Sequence, residues 1–429
     1  MMHTISVYDP GHFHAALLLN QSNARVNRTI HVFAPPGRDV EKFIALIESF
    51  NSRDEDPTDW HLEHHIGPDA LEALVAERPG GIVILAGRNG PRLALMHRLH
   101  DEGFHVLADK PWLTDSANLP HLEAITAKLP LAVDNMAGRH SAFAKLRNAV
   151  ISTSAIFGEL DTSAEQPALE FTSRHHLMKL VGGQPLQRPA WFYDSRIQGD
   201  GLVDIQSHYV DHAQWIVGEG HRFDIDSDVE IMAAERWTTP VPLDLFREST
   251  GESAFPDYLS HAVEDDVLHL PCNGRIDYRM RGVRVRQYCD WGPREAEGGG
   301  DLQSFTARGT KAELTVESGP ETGFQPEMCL HPDEALDLSA AAAQWRAAFP
   351  SLEITATEDG GHILRLPTKD QVGHDAQFPL MLDQFLDLMD ADAWPADLAA
   401  RIRTRYTLLA RARDLAQFST NLESPTRPK

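Results

Sequence analysis

The chain has 429 residues, 42% of them apolar and 24% charged, the composition of a globular protein with room for two or three domains. Asp and Glu number 63 against 39 Lys and Arg, and the formal charge of −24 argues against general affinity for nucleic acid or an anionic membrane. Three cysteines without a CxxC pair argue against a disulfide framework and a thiolate zinc site. Because the chain shows no basic, apolar leader and no apolar run of about 18 residues, we expect a cytoplasmic protein.

The first 135 residues alternate strand-like and helix-like segments. Short apolar runs bounded by turn residues indicate buried strands, and apolar residues three or four apart indicate helices. In chain order the segments are strand 3–9, a helix starting near residue 15, strand 30–33, helix 40–50, helix 69–77, strand 81–86, helix 91–102 and strand 104–108. This alternation predicts a Rossmann-like, doubly wound parallel sheet, and thus a dinucleotide-binding domain over residues 1–135.

The turn after the first strand keeps one glycine, Gly11, of the GxGxxG fingerprint of such domains. Asp9 and His14 fill the outer glycine positions. Asp9 would repel a pyrophosphate, and His12 or His14 would have to compensate for that repulsion. The turn by itself therefore leaves nucleotide binding open.

The end of the second strand does not decide between NAD and NADP. An acidic residue there would favour the ribose hydroxyls of NAD, and an arginine would favour the 2′-phosphate of NADP. The strand is followed by Ala34 and Pro35, which are neither, and Arg38 and Asp39 a little further on have opposite implications.

Polar residues follow two more of the predicted parallel strands. Asn89 comes after strand 81–86, and Asp109 and Lys110 come after strand 104–108. Pro111 disfavours a helical conformation at Lys110 and keeps it extended. Since ligands of doubly wound sheets bind at the carboxyl ends of the strands, we expect these residues to face a ligand.

The remainder of the chain has strands in succession and then helices. The predicted strands are 169–173, 229–237, 266–270, 274–281, 284–288, 303–307 and 313–317. Strands without intervening helices predict an open, mainly antiparallel sheet in an α+β domain over residues 136–375. Amphipathic helices at 378–389 and 396–418 predict a closing segment, residues 376–425, that packs back on the core.

The stretch from Trp191 to Gly218 carries the strongest chemical pattern. A loop with Gly199 and Gly201 lets backbone approach a ligand, and a helical pattern follows it. Asp204 and His208 are one helical turn apart, so the carboxylate can orient the imidazole as a general base for an alcohol. The same spacing also describes a solvated surface pair.

Close-spaced histidines at 61, 64 and 65 have no further ligands beside them in sequence, so no metal site is predicted.

Together these segments resemble the Gfo/Idh/MocA family of NAD(P)-dependent oxidoreductases. VILAGRNGPRLALMHRLHDEGFHVLADKPW resembles the family's strand, helix, strand and EKP segment, with Asp109 in place of the glutamate. WFYDSRIQGDGLVDIQSHYVDHAQWIVG resembles its W-x-x-D, glycine-rich and D-x-x-x-H-x-x-D run, with Asp200 in place of a glycine. VDNMAGRHSAFAKLR, FTARGTKAELTV and FPLMLDQFLDLM are similar to other parts of the family, so the resemblance spans nearly the whole chain.

The resemblance implies hydride transfer between NAD or NADP and a hydroxyl carbon of a sugar, polyol or sugar derivative. In that reaction His208 would accept the hydroxyl proton, Asp204 would orient or charge-balance His208, and Lys110 would stabilise the developing alkoxide. The implied cofactor-binding residues are Gly11, His12, Phe13, His14, Asn89, Asp109 and Lys110. The implied substrate-binding residues are Lys110, Arg139, His140, Trp191, Asp194, Asp204 and His208. The resemblance also implies a homo-oligomer.

Two other functions stay open at this point. A tightly held NAD could oxidise a sugar hydroxyl transiently and so allow elimination or hydrolysis, with the same residues. Alternatively, the depleted glycine fingerprint with Asp9 could mark a non-catalytic protein that only binds a nucleotide or sugar.

Overall fold

The computed structural model describes residues 2–127, 132–134, 136–181, 184–295 and 299–418. The chain divides into two compact units. Unit 1 comprises residues 1–141, 220–223 and 372–407, and unit 2 comprises residues 142–219, 224–371 and 408–429. Asn135, the first boundary expected from the sequence, lies outside the described residues, and the three-part division drawn there stays a prediction.

Unit 1 is built on a six-stranded sheet in the order β3-β2-β1-β4-β5-β6, with every adjacent pair parallel. Its strands are β1 His3–Tyr8, β2 Val26–Ala34, β3 His61–Ile66, β4 Ile82–Leu85, β5 His105–Ala108 and β6 Ala132–Asp134. This strand order is that of a doubly wound dinucleotide-binding sheet, and the predicted fold class is confirmed. The order reverses between β1 and β4, and ligands bind at such a switch point.

The helices of this first stretch are α1 His14–Leu17, α2 Arg38–Ser52, α3 Ala70–Glu77, α4 Arg92–Asp101 and α5 Leu119–Ala127, with 3₁₀ segments at Ser116–Asn118 and Ala137–His140. The helix α2 shows why the sequence pattern was informative. Its buried residues, Val40, Phe43, Ile47 and Phe50, recur at three or four positions and form one apolar stripe.

Unit 2 contains a mixed sheet whose strands follow the order β17-β18-β16-β15-β14-β7-β13-β12-β10-β19, with β11 paired to β12. Its strands up to β18 are β7 Leu169–Met178, β8 Leu180–Val181, β9 Gln184–Pro185, β10 Val229–Pro242, β11 Val263–Glu264, β12 Val267–Met280, β13 Val283–Arg294, β14 Leu302–Arg308, β15 Ala312–Ser318, β16 Glu327–Pro332, β17 Glu353–Ala356 and β18 His362–Arg365. The strands β8 and β9 form a separate hairpin. In the larger sheet only the pairs β7–β13 and β10–β19 are parallel among the described residues, so the prediction of a mainly antiparallel sheet is confirmed.

The helices of unit 2 are α6 Ala142–Ile151, α7 Ser195–Gln198, α8 Gln206–Gly218, α9 Ile225–Asp228, α10 Leu243–Thr250 and α11 Ser339–Ala348, with 3₁₀ segments at Ala190–Tyr193, Asp257–Ala262, Pro320–Thr322 and Thr368–Asp370. The chain then forms α12 His374–Ala391 and α13 Leu398–Leu415, and it ends in the short strand β19 Gln417–Phe418. Within the described residues, no helix is both long enough and apolar enough to cross a bilayer.

One prediction about unit 2 is wrong. The segments 266–270 and 274–281 are not two strands but one, β12, which pairs with β10 along its whole length. Pro271 and Asn273 resemble a turn in sequence. In the structure the register shifts between Trp237 and Thr239 of the partner strand, so the irregularity is a bulge within a continuous strand.

Candidate active site

In unit 1, the turn after β1 is held against the end of β4. The amides of Gly11 and His12 both donate to the carbonyl oxygen of Ala86, at 3.0 and 2.9 Å. Gly87 permits this close approach, because a Cβ atom there would lie 2.4 Å from the carbonyl oxygen of Asp9. Three of the polypeptide segments expected at the cofactor, which follow β1, β4 and β5, therefore end side by side.

The charge of Asp9 is balanced by an arginine that the sequence did not reveal. The Nη1 atom of Arg88 lies 2.9 Å from a carboxylate oxygen of Asp9, and its Nη2 atom lies 3.1 Å from Asp39. Arg88 thus counters part of the repulsion expected between Asp9 and a pyrophosphate. Asp39, one of the two residues with opposite implications for NAD and NADP, is engaged by the same guanidinium.

Asp109 is buried, and two imidazoles converge on it. The Nδ1 atoms of His12 and His14 lie 2.8 and 2.9 Å from its two oxygens, and the amide of Lys110 also donates to it. Burial opposes ionisation, but the neighbouring imidazoles outweigh burial and hold the pKa of the Asp109 carboxyl well below its usual range.

His14 cannot supply the positive charge that a pyrophosphate needs. Burial lowers the pKa of its imidazole to about 3, although Asp109 favours the protonated form. The ring is therefore neutral at pH 7 and donates its Nδ1 proton to Asp109. Burial therefore argues against a compensating charge on His14, and of the two residues expected to compensate for Asp9, His12 stays a prediction.

The other expected ligand-facing residues of unit 1 fall into two groups. Lys110 and Asn89 are buried at the carboxyl ends of β5 and β4, where the sequence placed them. Arg139 and His140 lie in the 3₁₀ segment Ala137–His140, and His140 Nε2 is 3.2 Å from the side-chain oxygen of Gln384 on α12.

In unit 2, Asp204 lines a pocket between the glycine-bearing loop and the sheet. Two aromatic rings, Phe192 and Trp291, form one part of its wall, and Gln198 donates to Asp204 over 3.0 Å. The remaining lining residues are Gly199, Asp200, Gly201, Ile205, Leu270, Cys272 and Cys289. The cavity is small, about 10 Å³, which is room for about one water molecule, so it places Asp204 beside the aromatic pair and is not of substrate size.

Asp204 does not lie on the helix predicted to contain it. The regular helix α8 begins at Gln206, and residues 201–205 form a turn that precedes it. Gly201 fits against the backbone of β12 so tightly that a Cβ atom would lie 2.2 Å from the carbonyl carbon of Asn273. This contact fixes the turn, and Asp204 is placed by the turn while His208 is placed by α8.

Asp200, which stands where the family pattern has a glycine, anchors this loop. It is 1% exposed and accepts from Arg236 at 2.9 Å, Arg413 at 2.8 Å and the amide of Leu202 at 3.1 Å. These bonds join the loop to β10 and to the end of α13. Asp200 therefore has a structural role beside the pocket.

The two remaining predicted substrate residues precede this loop. Trp191 lies in the 3₁₀ segment Ala190–Tyr193 and is 9% exposed. Asp194 caps α7 by accepting from the amide of Arg196, and both of its carboxylate oxygens accept from the Arg196 side chain. Asp194 therefore stabilises the loop that carries Gln198.

Sequence reasoning missed the carboxylate Asp301, which precedes β14. The Nδ1 atom of His175 and the Nζ atom of Lys179 lie 2.9 and 2.6 Å from it. Burial opposes its ionisation, but the hydrogen bond from His175 and the charge of Lys179 outweigh burial and hold the pKa of Asp301 well below its usual range. The available signal was the His175–His176 doublet at the end of β7, and the His175 ring centre lies 5.0 Å from that of Trp291, a pocket residue.

A second missed residue is Arg188, a buried arginine beside the same aromatic pair. Its guanidinium carbon lies 4.4 Å from the ring centre of Phe192 and 5.2 Å from that of Trp291. It donates to the carbonyl oxygens of His176 and Leu177, and burial lowers its pKa. The arginine therefore fixes both pocket rings through cation–π contacts.

The C-terminal part of the chain matches a known family, and its fold matches solved structures. Residues 146–417 match the family model described as "Putative oxidoreductase C terminal domain". No curated protein sequence matches the chain. Among solved structures, a "putative oxidoreductase" from Parabacteroides merdae is 33% identical with a TM-score of 0.93, covering 96% of this chain and 97% of that one.

More distant structures share the fold at lower identity. KijD10, a 3-ketoreductase from Actinomadura kijaniata solved with NADP and TDP-benzene, is 15% identical with a TM-score of 0.58, covering 97% of this chain and 99% of that one. A "putative oxidoreductase" from Erwinia carotovora atroseptica is 15% identical with a TM-score of 0.59 and the same coverage, 97% and 99%.

Proposed function

The chain belongs to the oxidoreductase family that shares this C-terminal domain and is of the Gfo/Idh/MocA type, and from that premise we propose that it transfers a hydride between NAD or NADP and a hydroxyl-bearing carbon of a sugar, polyol or sugar derivative. One observation carries the proposal. The residues Gly11, Asn89 and Lys110 follow three adjacent parallel strands at the point where the strand order reverses. Dinucleotides bind at this place in doubly wound sheets.

The turn after β1 has donors that suit a pyrophosphate. Within the described residues, the backbone amides of Phe13 and His14 donate no hydrogen bond, and they stand at the N-terminus of α1. Free amides at a helix N-terminus bind phosphate groups. Arg88 offsets Asp9 but is shared with Asp39, so the three side chains together keep one net negative charge. These residues fit a dinucleotide, and the NADP bound by KijD10 supports the same cofactor class here.

The roles proposed for the chain's own residues follow from where the proton and the charge must go. The nicotinamide, when bound, supplies the hydride acceptor or donor. During oxidation, His208 accepts the proton of the substrate hydroxyl, while Asp204 orients His208 and Lys110 stabilises the negative charge that develops on the oxygen. In the reverse direction His208 returns the proton to the carbonyl oxygen.

The side chains around the pocket of unit 2 support a sugar-like substrate by their chemistry, since Asp204 and Gln198 can bond hydroxyl groups and Phe192 and Trp291 are aromatic. The cavity itself, about 10 Å³, would have to widen to admit a sugar. We also propose His140, Arg139 and Trp191 as substrate contacts, and we propose that Asp194, expected as a contact, positions the loop that it caps. The homo-oligomeric state stays a prediction.

The proposal is tested with purified protein, NAD⁺ or NADP⁺, and a panel of sugars and polyols. We expect absorbance at 340 nm to rise with at least one substrate and calorimetry to show cofactor binding. Lys110→Met and His208→Asn should each lower kcat/KM by about 100-fold or more. The matched controls are Lys145→Met and His64→Asn, which change exposed residues and should leave the rate unchanged. A full panel without signal, together with no cofactor binding, would overturn the proposal.

A simple measurement distinguishes net hydride transfer from a redox-neutral reaction on tightly held NAD. If the supernatant of denatured protein contains a stoichiometric nucleotide, while free cofactor gives no net turnover, elimination or hydrolysis with internal redox cycling replaces net oxidation. If no nucleotide copurifies and free cofactor supports turnover, net hydride transfer stands.

A further inference from the structure

We infer that unit 1 binds a divalent transition-metal ion between His31, Glu63 and His65, on the strands β2 and β3 at the edge of its sheet. The ligand atoms of these three side chains all lie within 4.8 Å of one another. Sequence alone predicts no metal site here, because His31 precedes His65 by 34 positions. The inference goes beyond the proposed function, since the ion would bind without nucleotide or substrate.

The pairing of β2 with β3 places the three side chains on one face of the sheet. In the parallel register His31 is opposite Glu63, and Phe33 is opposite His65. Successive side chains of a strand alternate between the two faces, so Glu63 and His65, which are two positions apart, share a face with His31 beside them. By the same alternation His64 lies on the opposite face.

The distances between the ligand atoms are close to those between ligands of a single ion. The Nδ1 atom of His31 lies 3.4 Å from the Nε2 atom of His65 and 3.5 Å from one carboxylate oxygen of Glu63. The other Glu63 oxygen lies 3.9 Å from His65 Nε2. Two ligands that are each about 2.0–2.1 Å from a tetrahedral ion are about 3.3–3.4 Å from each other. The three side chains therefore converge on a common point, and the exposed Glu63 can shorten the longest of these distances.

The other nitrogen of His65 is supported as in metal-binding histidines. Its Nδ1 atom lies 2.9 Å from a carboxylate oxygen of Glu77, at the end of α3. A proton on Nδ1 faces that carboxylate, and the neutral ring then turns the lone pair of Nε2 toward His31 and Glu63. The ring also stacks on the buried Phe33, with ring centres 4.1 Å apart and planes inclined by 12°. A carboxylate behind an imidazole fixes its tautomer and orientation for binding an ion.

The set of ligands selects the class of ion. Two imidazoles and one carboxylate suit zinc, cobalt, nickel and ferrous iron, whereas magnesium and calcium favour oxygen ligands. Three protein ligands leave at least one coordination position for water. The side chains of His31 and His65 are 14% and 16% exposed and that of Glu63 is 53% exposed, so the ion can enter from solvent on the side of the carboxylate.

An ion at this place would fix the edge of the sheet. The strand β3 is an edge strand, and none of its six residues is buried, so little apolar burial holds it in place. The ion would join β2 to β3 through its ligands and would connect them to α3 through Glu77. Since an ion that binds only the ordered strands stabilises them, Zn²⁺ should reduce local opening of β3.

The direct test uses the full-length protein, stripped with a chelator and free of nucleotide. Titration with Zn²⁺ by calorimetry should show a strong site, and His31→Ala and His65→Ala should each weaken it by about 100-fold or more. Glu63→Gln, a change of an exposed side chain at constant size, should weaken Zn²⁺ binding by about tenfold or more. Glu77→Gln, which acts through His65, should weaken it by about 10- to 100-fold.

Two control variants separate this site from other histidines. His64→Ala removes an exposed imidazole on the opposite face of the same strand and should leave the strong site unchanged. His12→Ala changes another group of close ligand atoms among the described residues, His12 with His14 and Asp109, and should also leave the strong site unchanged. Loss of the strong site in either control, or Zn²⁺ binding in wild type no tighter than in His31→Ala, would overturn the inference.

A second measurement decides the matter if a histidine variant fails to fold. Hydrogen–deuterium exchange followed by mass spectrometry should show that Zn²⁺ slows exchange of the amides of residues 61–66 by about tenfold or more in wild type. The slowing should be much smaller in Glu63→Gln, which changes an exposed side chain. Equal slowing in both proteins, or none in wild type, would contradict an ion at this edge.

The outcome is separable from that of the proposed function. Strong Zn²⁺ binding without any NAD or NADP binding would count against the oxidoreductase proposal and leave this site standing. Nucleotide binding and turnover in a protein that takes up no Zn²⁺ would do the reverse.

Discussion

Two buried aspartates, Asp109 in unit 1 and Asp200 in unit 2, each hold two basic side chains. Asp200 is paired with Arg236 and Arg413, whose charge is permanent. Asp109 is paired with His12 and His14, whose rings each carry a second nitrogen for another partner. Both carboxylates are nearly inaccessible, at 3% and 1% exposed for Asp109 and Asp200.

The two carboxylates therefore differ in whether their partners are free to bind anything else. At Asp200 one carboxylate oxygen accepts from both guanidiniums and the other accepts from the amide of Leu202, and these bonds connect the loop, β10 and the end of α13, so neither oxygen is left for a ligand. At Asp109 the two rings keep their Nε2 atoms for other partners. Mutation of Asp200 should therefore lower the stability of the protein. Mutation in the Asp109 group should change ligand binding and the pH dependence of stability.

The largest effect is expected from Asp200→Asn. Two guanidiniums would lose their carboxylate in a buried setting, and breaking such a network costs about 3–5 kcal/mol, with the lower end favoured because both arginine side chains are about a quarter exposed. Urea unfolding measures this loss. The control is Glu248→Gln, which breaks an exposed pair with Arg294 and should cost at most about 1 kcal/mol. Equal losses in both variants would contradict a structural role for Asp200.

A somewhat smaller effect is expected from Gly201→Ala. The added methyl group would overlap the backbone of Asn273, and shifts of this kind cost about 1–3 kcal/mol. Gly81→Ala is the matched control, since nothing lies within 4 Å of the place that a Cβ atom would take there. Thermal unfolding of both variants decides the matter. A variant at position 201 as stable as wild type would show that the loop does not need this close approach.

The positions of strands along the chain could be predicted where burial leaves a clear apolar pattern, and not elsewhere. All four residues of β4 are buried, so its apolar run marks it as a strand. The edge strand β3 has no buried residue and three histidines, and it gave no apolar signal. Proline in β12 likewise hid a continuous strand, because a bulge accommodates it.

In the candidate site, too, the sequence located single residues but not the contacts between residues that are far apart in the chain. Lys110 and Asn89 could be placed because they directly follow strands. The partners of the key carboxylates could not, since Arg88 is 79 positions from Asp9 and Asp301 is 126 positions from His175. The exact start of α8 was missed because residues 201–205 keep helical spacing, while Gly201 packs them against β12 as a turn.

The pH dependence of stability tests the neutral state of His14. Burial lowers its pKa from 6.5 to about 3, so between these values the unfolded chain binds a proton that the folded chain does not. Stability should therefore fall as pH drops from about 6.5 toward 4, by at most about 1.4 kcal/mol per pH unit from this group. His14→Gln should flatten that slope, and His64→Gln should not. Asp109, whose folded pKa is depressed, contributes stability above about pH 4 that is lost only below that value.

The smallest effect concerns Gln198, whose amide donates to Asp204 over 3.0 Å. If Asp204 orients His208, the loss of one hydrogen bond to the charged carboxylate should lower kcat/KM by about tenfold, which equals about 1.4 kcal/mol. Gln198→Ala should also raise the pKa of His208 in the acid limb of the pH–rate profile, because a carboxylate that has lost a donor favours the protonated form of the imidazole beside it more strongly. Gln198→Glu should move the same pKa further, since two carboxylates would then face each other. A lower kcat/KM with an unshifted profile in both variants would mean that Gln198 shapes the pocket and does not tune Asp204.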